Sequence, residues 1–200
     1  MQKGQKMYNK GTATRTHIIN TANNLFYHQG FNQTSFTDIA QSAGIPKGNF
    51  YHYFKTKEEI LEDVIQQRIK NIENQLSNIE ELNLQPADRI RFFISALKNS
   101  KNGFAQYGCP IGSIITELGK TQLALKKKSK KILELIHNWL SLQFQQSGKH
   151  KATANTLSRH IMVRIQGAIV IAHAYEDKSC FTEEIDQLLE WIDNEASSTV

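Results

Sequence analysis

With 200 residues, 40% of them hydrophobic and 22% charged, the chain has the composition of an ordinary globular protein with one or two domains and a substantial core. No run approaches the ~18 to 20 apolar residues of a membrane span, and the polar, basic start MQKGQKMYNKGTATR lacks an apolar secretory segment, so a cytoplasmic protein with no membrane partner is expected. The net charge of +5 is concentrated at one end: residues 1–57 hold Lys3, Lys6, Lys10, Arg15, Lys47, Lys55 and Lys57 against Asp38 alone, which suggests a polyanion-binding module, or a basic tail kept for solubility, on a near-neutral body.

Strand signals are nearly absent, helical periodicity is widespread, and each of the three prolines (46, 86 and 110) stands where a helix could begin. The spacing predicts a first helix over about 14–29, with Ile18, Ala22, Leu25 and Phe26 inward and Gly30 as its left-handed terminator. Ser35 with Asp38 three residues on makes a capping box for a short second helix that Gly44 ends. Pro46 opens a third helix, and Thr56 with Glu59 caps a fourth that carries Leu61, Ile65, Ile72, Leu76 and Ile79. Pro86 opens a fifth and Pro110 a short sixth; further helices are predicted over about 122–147, 152–175 and 182–194. The expected fold class is all-α.

Between the second and third helices lies the informative stretch, IPKGNFYHYF. On a helix, Phe50, Tyr53 and Phe54 share one arc while Gly48 and His52 point the opposite way, with Lys47, Asn49 and Tyr51 on the flanks. Two short helices joined by a glycine turn make a helix-turn-helix, whose second helix lays its N-terminal residues in the major groove. Asn49 suits base edges, Gly48 permits close backbone approach, and Lys47, Tyr51 and His52 suit phosphates. Lys57 opens the fourth helix, where the dipole already favours a phosphate.

The run GFNQTSFTDIAQSAGIPKGNFYHYFKTKEEIL closely resembles the N-terminal signature of the TetR family of one-component transcriptional regulators, and the length and all-α character agree with it. The resemblance implies a homodimeric repressor that binds double-stranded operator DNA, with a helix-turn-helix domain over 1–57 and a ligand-binding and dimerisation domain over 58–200. Carried over by position, Ser35, Thr37, Lys47, Gly48, Asn49, Tyr51, His52 and Lys57 are its expected DNA contacts. Phe36 and Pro46 depart from the residues common at those places. Effector binding is expected to shift the fourth helix, one amphipathic rod that starts at Lys57 and ends in the body.

In the body, QYGCPIGSIITEL places Cys109 at or next to the N-cap of the helix that Pro110 opens, where the helix dipole favours a thiolate. GCPIG also looks like the cysteine-bearing segment of an electrophile-sensing branch of the family, which makes Cys109 a candidate sensor; a small buried hydrophobe is the other reading. Phe92, Phe93, Phe104, Tyr107, Trp139, Phe144, His137 and His173 are candidates for an apolar pocket, with plain core as the other reading, and the effector is expected to be small and apolar or electrophilic. The last two helices, with Gly167, Ala168 and Ala172 for close approach and Ile161, Ile165, Ile169, Leu188, Leu189 and Ile192 for apolar area, are expected to form the homodimer interface as a four-helix bundle. Neither a CxxC pair nor histidines at i, i+4 occur, so no metal or cofactor is expected, and with no nucleophile–base pair or phosphate-cradling loop, no enzyme. A sequence-indifferent DNA-coating protein is the alternative within DNA binding.

Overall fold

The computed structural model describes the backbone of residues 2–118 and 122–197 and the side chains of residues 11–118 and 122–195. Ten α-helices occur there and no strand: α1 (Gln2–His28), α2 (Phe36–Ser42), α3 (Lys47–Phe50), α4 (Lys57–Glu80), α5 (Pro86–Ala96), α6 (Lys101–Tyr107), α7 (Gly112–Glu117), α8 (Leu123–Gln146), α9 (Lys151–Ala174) and α10 (Lys178–Ser197). The chain divides into two compact units, one of residues 1–69 with 113–129 and the other of 70–112 with 130–200.

The first unit is built on α1. Ile18, Ala22 and Phe26 are fully buried against Phe31, Ile39, Phe50, Phe54, Leu61 and Ile65, and Ile114, Leu118 and Leu125 complete the same core. Arg15 ties three segments together: its guanidinium donates to the Tyr53 carbonyl at 2.7 Å and the Asp63 carboxylate at 2.7 Å, and lies 4.0 Å over the Phe54 ring. Glu117, at the end of α7, accepts the Asn32 N–H at 2.9 Å. Its carboxylate fills the space where a Cβ on Gly30 would stand, and Gly30 also has φ +85°. The left-handed turn favours glycine there, and any Cβ would also push on the Glu117 carboxylate 3.0 Å away.

α1 begins at Gln2, twelve residues before the expected start. No proline interrupts residues 2–28, and Gly4 and Gly11 each weaken a helix interior by only about 1 kcal/mol. The side chains of Lys3, Lys6 and Lys10 lie outside the described residues.

The second unit packs α5, α6, α9 and α10 around Ile90, Phe93, Ile94, Phe104, Ile161, Phe181, Ile185 and Leu188. Arg91–Asp193, Lys98–Asp186 and Arg164–Glu184 ion pairs fasten its helices. Two expectations are corrected here. The helix after Pro110 starts at Gly112, because Gly108 (φ +75°) ends α6 and residues 110–111 form a turn; Cys109 stands ahead of that turn, and its sulfur accepts the Gly112 N–H three residues on, as an N-cap side chain does. Asp177 caps α10 through the Ser179 N–H at 2.8 Å, so the last helix starts at Lys178 rather than near residue 182, and Cys180 lies in its first turn.

The expected interface residues Ile161, Ile165, Ile169, Leu188 and Ile192 are buried inside the second unit's own core. A different stripe of α9 is apolar and exposed: Val163, Gly167, Val170, Ile171 and Ala174, with Val163 66% and Val170 61% exposed. The period that placed the isoleucines together identified a buried face; the neighbouring face, rich in small and β-branched residues, is the unpartnered one.

Candidate nucleic-acid interface

Local rules fix the reading head. The Ser35 hydroxyl accepts the Asp38 N–H at 3.0 Å and the Asp38 carboxylate accepts the Ser35 N–H at 2.8 Å, a reciprocal capping box that starts α2. The bond donated to it by the Ser35 N–H, then one from the Ser35 hydroxyl, hold the Asp38 carboxyl below its ordinary value, with a smaller contribution from the nearby Lys57 charge. α2 ends in a Schellman turn, where Gly44 N–H bonds the Gln41 carbonyl at 3.0 Å and Ile45 N–H the Ala40 carbonyl at 3.1 Å. Gly44 supplies the left-handed residue at φ +65°.

Pro46 caps α3, which continues as successive turns through Phe54. Phe50 and Phe54 are fully buried, and Tyr53 is half-buried. Lys47, Gly48, Asn49, Tyr51 and His52 are all exposed, as are Ser35 and Thr37 at the start of α2. Seven of the eight expected contacts therefore lie on the solvent side of one helix-turn-helix, over an aromatic floor.

Lys57 is placed differently. Its ammonium donates to the carbonyls of Phe31 at 2.7 Å and Thr34 at 2.8 Å and sits 4.2 Å over the Phe31 ring. Two of its three donors are used on the loop before α2, so the side chain holds the reading head together from within. Phe36 has a role that sequence reasoning missed. Its ring meets Phe50 edge-on at 4.8 Å and Tyr51 at 5.2 Å, which packs α2 on α3 and orients the exposed tyrosine. The signal was there in the unusual bulk at that position.

The second unit contains a cavity of about 300 Å³. Phe93, Phe104, Ile136, Met162 and Ile169 supply apolar wall, Cys109 and Pro110 border it, and its polar lining is Gln75, Ser100 and Gln166. Of the eight pocket candidates, Phe93 and Phe104 line it, and Phe92, Tyr107, Trp139, Phe144, His137 and His173 do not. Trp139 is buried behind Phe93 with ring centroids 5.5 Å apart, and His173 is bonded to the Ala105 carbonyl at 3.1 Å. The Cys109 sulfur accepts the Gly112 N–H at 3.3 Å.

Comparison with known proteins bears on both units. The sequence pattern of bacterial regulatory proteins of the tetR family matches residues 18–64. That of the C-terminal domain of LmrA/YxaF-like transcriptional regulators matches residues 86–187, half of the chain. The chain belongs to the TetR family.

Its relatives in this family include the uncharacterised transcriptional regulator YxaF of Bacillus subtilis, 26% identical over 168 residues that cover 83% of this chain and 88% of YxaF. The transcriptional repressor DhaR of a Mycobacterium species is 23% identical, with 89% of each chain covered. Among solved structures, a TetR regulator from Chloroflexus aurantiacus has the same fold, with a TM-score of 0.81 at 20% identity over 92% of this chain and 96% of that one. The reduced form of Escherichia coli NemR gives a TM-score of 0.76 at 20% identity over 91% and 96%. The eight expected DNA contacts all lie within the stretch that carries the tetR-family pattern, and Cys109 within the LmrA/YxaF-like stretch. The chain is a TetR-family transcriptional regulator, and its all-α fold is that of the family.

Proposed function

We propose that this TetR-family regulator is a cytoplasmic, homodimeric repressor that binds operator DNA through residues 1–57 and is released when a small molecule occupies the cavity of the 58–200 domain. The observation that carries the reading is the exposed row Lys47, Gly48, Asn49, Tyr51 and His52 set over buried Phe50 and Phe54. Asn49 presents an amide to base edges while Lys47, Tyr51, His52, Ser35 and Thr37 bond phosphates. The Ser35 hydroxyl, exposed at the start of α2, caps the Asp38 N–H from that position. Pairing two such heads across half-sites requires a dimer, and the exposed apolar stripe of α9 supports one.

Release works through α4, which contributes Lys57 beside the reading head and Ile72 and Gln75 to the cavity lining on one continuous helix. A ligand that binds one orientation of this rod better than the other shifts the population of reading heads. Fluorescence anisotropy of the full chain on DNA from upstream of its own gene, against scrambled DNA, tests the reading. Sequence-selective binding is expected. Equal affinity for both, with a steep salt dependence, would favour a DNA-coating protein.

A second reading makes Cys109 the trigger. Its sulfur borders the cavity, within reach of a bound electrophile. The thiolate would add to the electrophile's activated alkene carbon, an S–C bond replacing the C=C π bond while a proton from water quenches the carbanion. Loss of operator binding on treatment with stoichiometric maleimide in the parent, but not in Cys109→Ser, would select this reading. Retained operator binding with Cys109 fully modified would leave the thiol structural.

A further inference from the structure

The cavity of the second unit has a chemical bias of its own. Its volume of about 300 Å³ is near the lower end for ligand sites, about ten times the ~30 Å³ share of a liquid water molecule. None of the described residues that line it is charged. An ion transferred there loses its hydration and gains no counter-charge, a penalty that the apolar walls cannot offset.

The polar lining is not spread evenly. Gln75 and Ser100 are exposed, at the solvent side, whereas Gln166 is half-buried on α9 beside Cys109 and Gly112. A Cβ on Gly112 would meet the Gln166 carboxamide oxygen at 3.1 Å and the Cys109 Cβ at 3.3 Å, so the glycine leaves the carboxamide its place. A primary amide offers both two N–H donors and a carbonyl acceptor, and so accommodates a hydroxyl or a carbonyl equally.

We infer that this cavity selects an uncharged, largely apolar molecule of one or two rings, held at a single hydroxyl or carbonyl by the Gln166 carboxamide. The inference rests on the effector reading proposed above and specifies the ligand class. It makes Gln166 the residue that distinguishes a hydrogen-bonding ligand from its hydrocarbon analogue, because an unmet buried polar group penalises the wrong partner.

Three probes of one shape test it by calorimetry on the full chain at pH 7: 2-naphthol, naphthalene and 2-naphthoate. 2-Naphthol is expected to bind one per chain, at least about tenfold tighter than the 2-naphthoate anion and several-fold tighter than naphthalene. Gln166→Leu should bring 2-naphthol down to the naphthalene level and leave naphthalene unchanged. Gly112→Ala, which displaces the carboxamide without removing it, should weaken 2-naphthol more than naphthalene.

Binding of 2-naphthoate as tight as that of 2-naphthol, an unchanged naphthol preference in Gln166→Leu, or saturable binding of none of the three would overturn the inference. Operator anisotropy separates the two proposals. Selective operator binding without naphthol binding fails the ligand class alone, and naphthol binding without operator selectivity fails the repressor reading alone.

Discussion

The ammonium of Lys57 stands 4.2 Å above the Phe31 ring and donates to the Phe31 carbonyl at 2.7 Å, so the residue that opens α4 is bonded to the loop that precedes α2. The same ammonium takes the Thr34 carbonyl, and Thr34 is itself buried with its hydroxyl on the Gly30 carbonyl at 2.7 Å. A charged donor satisfies two loop carbonyls that water reaches poorly. Lys57 thus couples the start of the long helix to the start of the reading head.

Lys57→Met should therefore destabilise the protein by about 2 kcal/mol, the value of hydrogen bonds to a charged group, in urea unfolding. Operator affinity should fall with the slope of log K against log salt unchanged. Lys47→Met should do the reverse, leaving stability within about 0.5 kcal/mol and reducing that slope by about 1 per reading head. A reduced slope in Lys57→Met would mean that this ammonium meets a phosphate after all.

Asn49 is the exposed side chain best suited to a base edge. Asn49→Ala should cost about 1–3 kcal/mol on the operator and much less on scrambled DNA, relaxing selectivity at one base pair per half-site. A uniform loss on all sequences, read in the same anisotropy assay, would assign Asn49 to the backbone.

Asp38 predicts a pH dependence. Its ordinary pKa of 3.8 is lowered in the folded protein, first by the Ser35 N–H. A carboxyl with a depressed folded value contributes stability that is fully present above its unfolded value and lost as pH falls through the folded one. The melting-temperature gap between the parent and Asp38→Ala should be widest near neutral pH and close below about pH 4. Asp177 is lowered in the same direction by Ser179 but is common to both proteins, so it cancels in the difference. A gap that stays constant down to about pH 2.5 would mean that the charge contributes nothing.

The α9 stripe carries the dimer prediction. Val163→Asp combined with Val170→Asp should halve the mass in sedimentation at unchanged helicity, and operator binding should be lost with it. Open space surrounds the Cβ position of Gly167, so Gly167→Leu fits the single chain and should still weaken association. An undiminished mass in both variants would place the interface elsewhere.

Much of the reading head was legible because its determinants are local. The capping box of Ser35 and Asp38, the left-handed terminator at Gly30, the helix end at Gly44, and the alternation of Phe50 and Phe54 with Lys47, Asn49 and Tyr51 act within a few residues, and all stand as expected. What was missed or misjudged depends on distant partners. Phe36 looks like a departure until Phe50 and Tyr51 are seen against it, and the α9 isoleucines look like an interface until α5, α6 and α10 are packed over them.

By itself, the sequence determined the all-α class, the helix-turn-helix and the identity of its exposed side chains, since helical period, capping and turn chemistry operate over one or two turns. Only the tertiary structure decided that Lys57 turns inward, that Cys109 precedes its helix and borders a cavity, and that Gln166 is a half-buried polar group of an uncharged lining. Those assignments depend on which carbonyl, wall or face the fold brings within a few ångströms, and the spacing of residues along a chain does not specify its neighbours across space.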